Sequence, residues 1–231
     1  MPNVMEHGVD KAVKLRIDSA IGVNEFYSNR NGKEELVSAK RNEGGFVHVV
    51  QTLAADETTR NTFRCDMVIT SAREIEADEE HSRPRQVKVG GYVFDFRKAL
   101  IPVEFTALSD GAMDYFLGLD ASQKSPVFTE LWGNQVSQVT MVKTVTESAF
   151  GQPLVTETPR TNRDFVITGA IGEPYVWDDE GTITAQEYQT ALADREVALA
   201  AIKQRQDEYN ASRAQTQAPA AAPNGVSGFN F

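Results

Sequence analysis

The feature that most constrains the fold of this chain is a succession of short apolar stretches between residues 11 and 140. In most of them Val, Ile, Phe or Thr alternates with polar residues, which is the period of a half-buried β-strand. Turn-forming segments such as NRNGKEE, AADETTRN and LSDGAM separate the stretches. Because most are joined without a helix, the sequence predicts a mostly β chain folded as a small barrel or sandwich. The predicted strands are KLRIDSAIGV, GGFVHVVQTL, NTFRCDMVIT, QVKVGGYVFDF, IPVEFTAL and SPVFTELWGNQVSQVTMV.

Two segments carry helix signals. The stretch DGAMDYFLGLD predicts one short helix that interrupts the barrel, with Asp110 as its N-cap. A longer C-terminal helix is predicted to begin at Thr184, because TAQE has the form of a capping box in which Glu187 reaches back to the first turn. The inward side chains predicted for the short helix are Met113, Phe116 and Leu117, and the apolar stripe of the long helix is Tyr188, Leu192, Leu199, Ile202 and Tyr209.

These signals divide the chain into three parts. We assign residues 1–145 to the β-barrel and residues 146–212 to a linker, a strand and the C-terminal helix. The polar stretch SAFGQPLVTETPRTN, with its two prolines, is the predicted linker or long loop. Residues 213–231 are predicted to be a disordered tail, and two explanations remain open for Phe229 and Phe231 at its tip. They bind a pocket on a partner protein, or they dock back on the parent domain.

The charge distribution leaves an anionic partner possible. The 231 residues carry a net charge of -10, but the first 100 residues hold 15 basic and 16 acidic side chains. A locally basic groove can therefore form in the first half, and the local patch governs contact with phosphate. The single cysteine, Cys65, excludes an internal disulfide and alternates with apolar residues, which predicts a buried thiol. No secretory signal or membrane span is visible, so we expect a cytoplasmic protein.

One strand combines aromatic rings with cations. In RQVKVGGYVFDFRKAL, Tyr92, Phe94 and Phe96 share one face, either as core or as a surface on which bases stack. Tyr92, beside the glycine pair, is the ring most expected to be exposed. Trp132 precedes a turn and is a second candidate platform, whereas Trp177 is followed by acidic residues and is assigned to packing. The candidate cations are Arg64, Arg73, Arg85, Lys88, Arg97 and Lys98. Cations along a backbone path with rings for stacking are what single-stranded nucleic acid requires.

Catalytic signals are weak. The three histidines are far apart in the sequence, and no nucleophile elbow, phosphate loop or dinucleotide fingerprint is present. An acidic run could hold a divalent cation in a nuclease, but it lies between strands and is more typical of a solvated loop. The run comprises Glu74, Glu76, Asp78, Glu79 and Glu80. We therefore expect a protein that is not an enzyme and has neither a cofactor nor a metal site.

The layout resembles the single-stranded DNA-binding proteins of the OB-fold type, particularly those of bacteriophage replication modules. The resemblance rests on the β-rich first part with its KVGGYVFDF strand, a low-complexity arm near the end of the chain, and the hydrophobic tip GFNF. It implies an OB-like barrel that coats exposed strands during DNA replication or recombination, and a tail that recruits partner enzymes. The tail departs from the bacterial pattern because the acidic residues lie earlier, in WDDEG and the last helix.

Residues and resemblance together favour a protein that binds single-stranded DNA without sequence preference, and that has the capacity to form homo-oligomers. The predicted DNA-binding residues are Tyr92, Trp132, Arg64, Arg73, Arg85, Lys88, Arg97 and Lys98, and the predicted partner-binding residues are Phe229 and Phe231. The alternative is a β-rich structural or assembly protein of a virus particle, which would use the same barrel and treat the helix and tail as assembly contacts.

Overall fold

Within residues 4–8, 10–30, 33–53, 56, 59–78 and 83–216, which the computed structural model describes, the chain forms seven strands and three helices. The strands are β1 (Lys14–Arg30), β2 (Lys33–Val50), β3 (Thr62–Ile75), β4 (Gln86–Phe94), β5 (Leu100–Ala107), β6 (Val127–Thr146) and β7 (Leu154–Ala170). The helices are α1 (Val4–His7), α2 (Asp110–Gly118) and α3 (Ala185–Thr216). The predicted mostly β fold with a C-terminal helix is confirmed. No helix in the described part of the chain has both the length and the apolar character needed to cross a membrane.

Five of the strands close into a barrel in the order β3-β4-β5-β7-β6. All neighbouring pairs are antiparallel except β5 and β7, which run parallel through a short contact at Thr106 and Ala107. The helix α2 connects β5 to β6, so it lies between the third and fourth barrel strands. A five-stranded barrel with this order and one interposed helix is OB-like, as predicted.

The barrel interior is filled by the inward side chains of every strand. Phe63, Phe105 and Phe165 form a ring cluster with centroids 4.9 to 5.5 Å apart. Gly91 permits the tight curvature of β4, because a side chain there would come within 2.0 Å of the Val68 carbonyl oxygen. Cys65 packs against this core as predicted, and burial raises the pKa of its thiol to about 12.

A second apolar layer lies outside the barrel wall, beneath α3. Tyr188 and Ala191 of the helix are buried against Val68 and Phe128, which are paired neighbours on β3 and β6. Trp177 stacks on Phe128 with ring centroids 5.4 Å apart, in agreement with its assignment to packing. The predicted capping box holds the start of α3, since the Thr184 and Glu187 side chains and backbone amides bond reciprocally.

The first two strands form a separate two-stranded ribbon rather than part of the barrel. Its inner half packs on the molecule: Ile21 contacts the barrel core, and Glu25 forms an ion pair with Arg195 of α3. Its outer half, nearer Lys14 and Val50, carries an exposed aliphatic face. That face consists of two directly opposed pairs, Leu15 with Val49 and Ile17 with Val47. We call it the aliphatic ribbon face.

Several local details differ from the sequence predictions. The predicted linker contains the first part of β7, from Leu154 onward, which pairs with β6. The strand predicted after the linker is the second part of β7, and it supplies the fifth barrel strand. The N-cap of α2 is Ser109 rather than Asp110, because the Ser109 hydroxyl accepts from the Ala112 amide. Leu117 is partly exposed instead of facing inward. The helix α3 continues to Thr216, past the predicted boundary at 212.

Candidate nucleic-acid interface

The three rings of the β4 region lie in three different environments. Tyr92 points outward from the barrel but is half-buried beneath α3, where the Arg195 guanidinium carbon lies 5.8 Å from its ring centroid. Phe94 is also half-buried in the layer under α3. Phe96 is 89% exposed in the turn after β4, with Arg97 5.0 Å from its ring centroid. The rings therefore do not form one continuous stacking surface.

A cavity remains between α3 and the wall at Tyr92. Its volume is about 550 Å³, and Tyr188, Arg195 and Gln123 line it together with Tyr92. Burial raises the pKa of Tyr188 to about 12, so this phenol stays protonated. Arg195 is held at the edge of the cavity by Glu25, with an N–O distance of 2.6 Å. The cavity is thus part of the contact between α3 and the barrel.

Trp132 has the geometry of an open stacking platform. It lies on the outer wall of β6 directly opposite Gly169 of β7, and a side chain at position 169 would come within 2.4 Å of the indole. The absence of that side chain allows the indole to lie against the strand, and 39% of Trp132 is exposed. On its other side, Trp132 is the cross-strand partner of Arg64 of β3. One ring and one cation predicted from the sequence are therefore direct neighbours.

Most of the predicted cations are paired with carboxylates. Arg64 binds Glu130, and this hydrogen bond raises the pKa of Arg64 and lowers that of Glu130. The other pairs are Arg85 with Glu74 at 2.5 Å, Lys88 with Asp164 at 2.8 Å, Arg73 with Glu104 at 3.9 Å, and Lys98 with Glu187. Exposed pairs of this kind exchange readily, because their net stabilisation in water is small. A phosphate can therefore compete for the exposed arginines at modest cost.

The predicted residues form separate groups on the wall. Arg64 and Trp132 are one group, and Arg73 and Lys88, which are cross-strand neighbours on β3 and β4, are another. Arg97 and Lys98 occupy the turn between β4 and β5. Tyr92 lies apart from Trp132 on the wall. The cross-strand pair Asp66 and Glu130 lies between them, and the Tyr175 hydroxyl donates a hydrogen bond to Asp66 there. Tyr92 and Trp132 therefore belong to separate parts of the wall.

Sequence reasoning missed two charged residues that contact the wall. Lys40 of the ribbon donates to the Glu104 carbonyl of β5 at 2.7 Å, and Asp164 of β7 accepts from Lys88. Both contacts join residues more than 60 positions apart, so no local pattern could reveal them. Lys40 in particular belongs to a ribbon outside the barrel.

Two other expectations concern metals and the tail. Among the residues that the structure describes, no cluster of three His, Cys, Asp or Glu side chains could hold a metal ion. Glu79 and Glu80 of the acidic run lie outside the described residues, as do Phe229 and Phe231.

Comparison with known protein families assigns the chain to a family. A family model described as YorF matches residues 3–205, which is most of the chain, so the chain belongs to the YorF family. Comparisons with curated proteins and with solved structures found no match.

Proposed function

We propose that this member of the YorF family binds single-stranded DNA without sequence preference, through the outer wall of its OB-like barrel. The observation that carries the proposal is the exposed indole of Trp132 lying on Gly169 beside Arg64. Stacking of a base on such a ring contributes about 1–3 kcal/mol and tolerates every base. The neighbouring guanidinium supplies the charge that a phosphate requires.

The position of Trp132 in the fold supports the same function. OB-fold proteins bind oligonucleotides through the face of their second and third strands and through the loops after the first and fourth strands. In this barrel the fourth strand is β6, which continues with β7 into a long two-stranded arm. Trp132 lies four positions before Val136, where β6 pairs with β7 and no longer with β3. Trp132 is therefore near the base of that arm. The face of β4 and β5 at Tyr92 is covered by α3, so the proposed path runs along β6 and β7 instead.

Residues on β7 connect Trp132 with a second cationic group. Gly169 lies under the indole, and Asp164, five positions away, binds Lys88. Five strand positions span about 17 Å. A strand of DNA that follows β7 would therefore meet a ring at one end and the cations Lys88 and Arg73 at the other. We propose that the covered ring Tyr92 and the turn residues Arg97 and Lys98 contribute less.

The proposal includes a cellular role. The protein would coat single-stranded DNA in the cytoplasm during replication or recombination of phage DNA, without cleaving it and without a cofactor. Phe229 and Phe231 at the C-terminal tip would bind a replication or recombination protein.

The experiment is a titration of a labelled oligothymidine followed by fluorescence anisotropy at several salt concentrations. We expect binding whose affinity falls linearly with the logarithm of salt concentration, since bound phosphates release counterions. Oligonucleotides of other base compositions should bind with similar affinity, and duplex DNA of the same length more weakly. Absence of binding at low salt would refute the proposed function.

The aliphatic ribbon face favours a second candidate, an assembly protein of a virus particle. Leu15, Ile17, Val47 and Val49 are exposed on one face of a two-stranded ribbon, and such a ribbon is only marginally stable alone. Contact with a neighbouring subunit would bury this face. Light scattering distinguishes the candidates, because an assembly protein forms large defined oligomers without nucleic acid.

A further inference from the structure

A basic cluster lies where the ribbon meets the barrel, at some distance from Trp132. It brings together Lys40 of β2, Lys88 of β4 and Arg73 of β3, with the carboxylates Asp164 and Glu104. Three cations face two carboxylates, so the cluster carries excess positive charge in a molecule whose net charge is -10.

The two carboxylates already have partners. Asp164 accepts from the Lys88 ammonium at 2.8 Å and from the Thr106 hydroxyl at 2.7 Å, and the Asp164 and Lys88 side chains are mostly buried. Glu104 lies 3.9 Å from Arg73. The contacts of these two acids are therefore made mainly with Lys88 and Arg73.

Lys40, in contrast, has only neutral direct partners. Its ammonium donates to the Glu104 carbonyl oxygen at 2.7 Å and lies 5.6 Å from the centroid of the Phe165 ring. No carboxylate lies within ion-pair distance of it among the residues that the structure describes. Lys40 is exposed as a residue, but partial desolvation of its ammonium group against the barrel lowers its pKa. The charge of Lys88 lowers this pKa further, whereas Asp164 and Glu104 act in the opposite direction. The ammonium group is thus the third cation of a cluster that contains two carboxylates.

We infer that Lys40, together with Lys88 and Arg73, forms a binding site for a phosphate of the nucleic-acid backbone. The inference rests on the proposed function and extends it, because it makes the ribbon part of the DNA path. Arg73 is 67% exposed in its side chain, which leaves the cluster open to solvent on that side. Arginine and lysine donate charge-assisted hydrogen bonds to phosphate oxygens.

The first test compares Lys40→Met with Lys33→Met, which removes an exposed lysine from the end of the same strand. Loss of one phosphate contact should lower the salt dependence of single-strand binding by about 0.7 in the log–log slope. If the Lys40→Met variant and wild type bind equally at 1 M salt, this smaller slope makes the variant bind about fivefold more weakly than wild type at 0.1 M salt. The Lys33 variant should keep the wild-type slope, and Lys40→Arg should restore it. Equal slopes for the Lys40→Met variant and wild type, both folded by circular dichroism, would overturn the inference and leave the proposed function intact.

A second measurement does not depend on DNA or on a variant. Side-chain NMR of lysine-labelled wild-type protein would follow the pKa of Lys40 as inorganic pyrophosphate is added. An anion bound in the cluster should raise this pKa, and the side-chain resonances of Lys33 should not respond to pyrophosphate. A Lys40 pKa that does not respond to saturating pyrophosphate would contradict the phosphate site, whatever the outcome of the DNA titration.

Discussion

The outer face of the barrel wall has two sides that carry the same kinds of outward-pointing side chain. The two sides differ in the elements that cover them. On one side, Val68 and Phe128 point outward and are buried beneath Tyr188 and Trp177. On the other side, Trp132 points outward, lies on Gly169 and is 39% exposed. An outward aromatic residue on a barrel strand is therefore not in itself a binding residue. The packing of α3 makes one side a second core and leaves the other open to a ligand.

The largest expected difference between the two sides is in stability. Replacing the buried Tyr188 with Ala should reduce the free energy of unfolding by about 3–5 kcal/mol, because it leaves a cavity between α3 and the wall. Replacing Trp132 with Ala should cost less, about 1–2 kcal/mol, since 39% of the residue is already exposed. Urea unfolding of both variants measures the difference. Equal losses would show that the open side is also structural.

The ion pair that fastens α3 to the ribbon gives the next effect. Burial alone would raise the pKa of Glu25, but hydrogen bonds from Arg195 and Ser38 outweigh burial and lower it. Because both side chains are largely buried, Arg195→Met should destabilise the fold by about 3 kcal/mol through the unpaired carboxylate. Adding Glu25→Gln should recover part of this loss, as a double-mutant cycle would show. Additive losses in the cycle would contradict a direct interaction.

On the open side, Gly169→Ala should act on binding more than on stability. The added methyl group would lie within 2.4 Å of the indole, so Trp132 must move off the strand. We expect the affinity for oligothymidine to fall by about 1–3 kcal/mol, the contribution of one stacked base. Gly172→Ala is the matched control, because a side chain there meets no atom within 4 Å. Unchanged affinity in the Gly169 variant would remove the indole from the proposed interface.

The smallest effect concerns the start of α3 on the covered side. Hydrogen bonds from Lys98 and the Thr184 amide lower the pKa of Glu187 from 4.5 to about 2. Since the folded pKa is depressed, this carboxylate stabilises the helix start above pH 4.5, and the stabilisation is lost as the pH falls toward 2. Hydrogen exchange of the first helical turn should therefore speed up across this window. In the Glu187→Gln variant, exchange of these amides should follow only the pH dependence of the intrinsic exchange rate across the same window.

The barrel could be predicted because its strands are half-buried, so alternation is visible in the sequence. The first half of β7 was missed because it pairs with β6 away from the core, where Thr, Glu and Pro residues give no apolar period. The strand β2 was predicted only from Gly44 onward, whereas it begins at Lys33 and contains Gly44 and Gly45 as an irregularity with positive φ angles of 60° and 136°. In both places local composition indicates a loop, and only pairing with the preceding strand of the chain shows the strand.

The candidate site could be predicted in part. Arg64 and Trp132 were identified from residue type, and their contact follows from the pairing of β3 with β6. The cover over Tyr92 could not be foreseen, because Arg195 and Tyr188 lie about a hundred positions later in the chain. The apolar stripe of α3 indicates that the helix covers a surface, but it does not identify that surface. Lys40 was also missed because the residue that it contacts, Glu104, is distant in the sequence.

The two tryptophans allow the central claim to be tested directly. In Trp177→Phe only Trp132 remains as a tryptophan, and in Trp132→Phe only Trp177 remains, stacked on Phe128. We predict that oligothymidine quenches the fluorescence of the Trp177→Phe variant at a saturable concentration, and that it leaves the fluorescence of the Trp132→Phe variant nearly unchanged. Quenching of Trp177 with no response from Trp132 would place the DNA on the covered side and contradict the account.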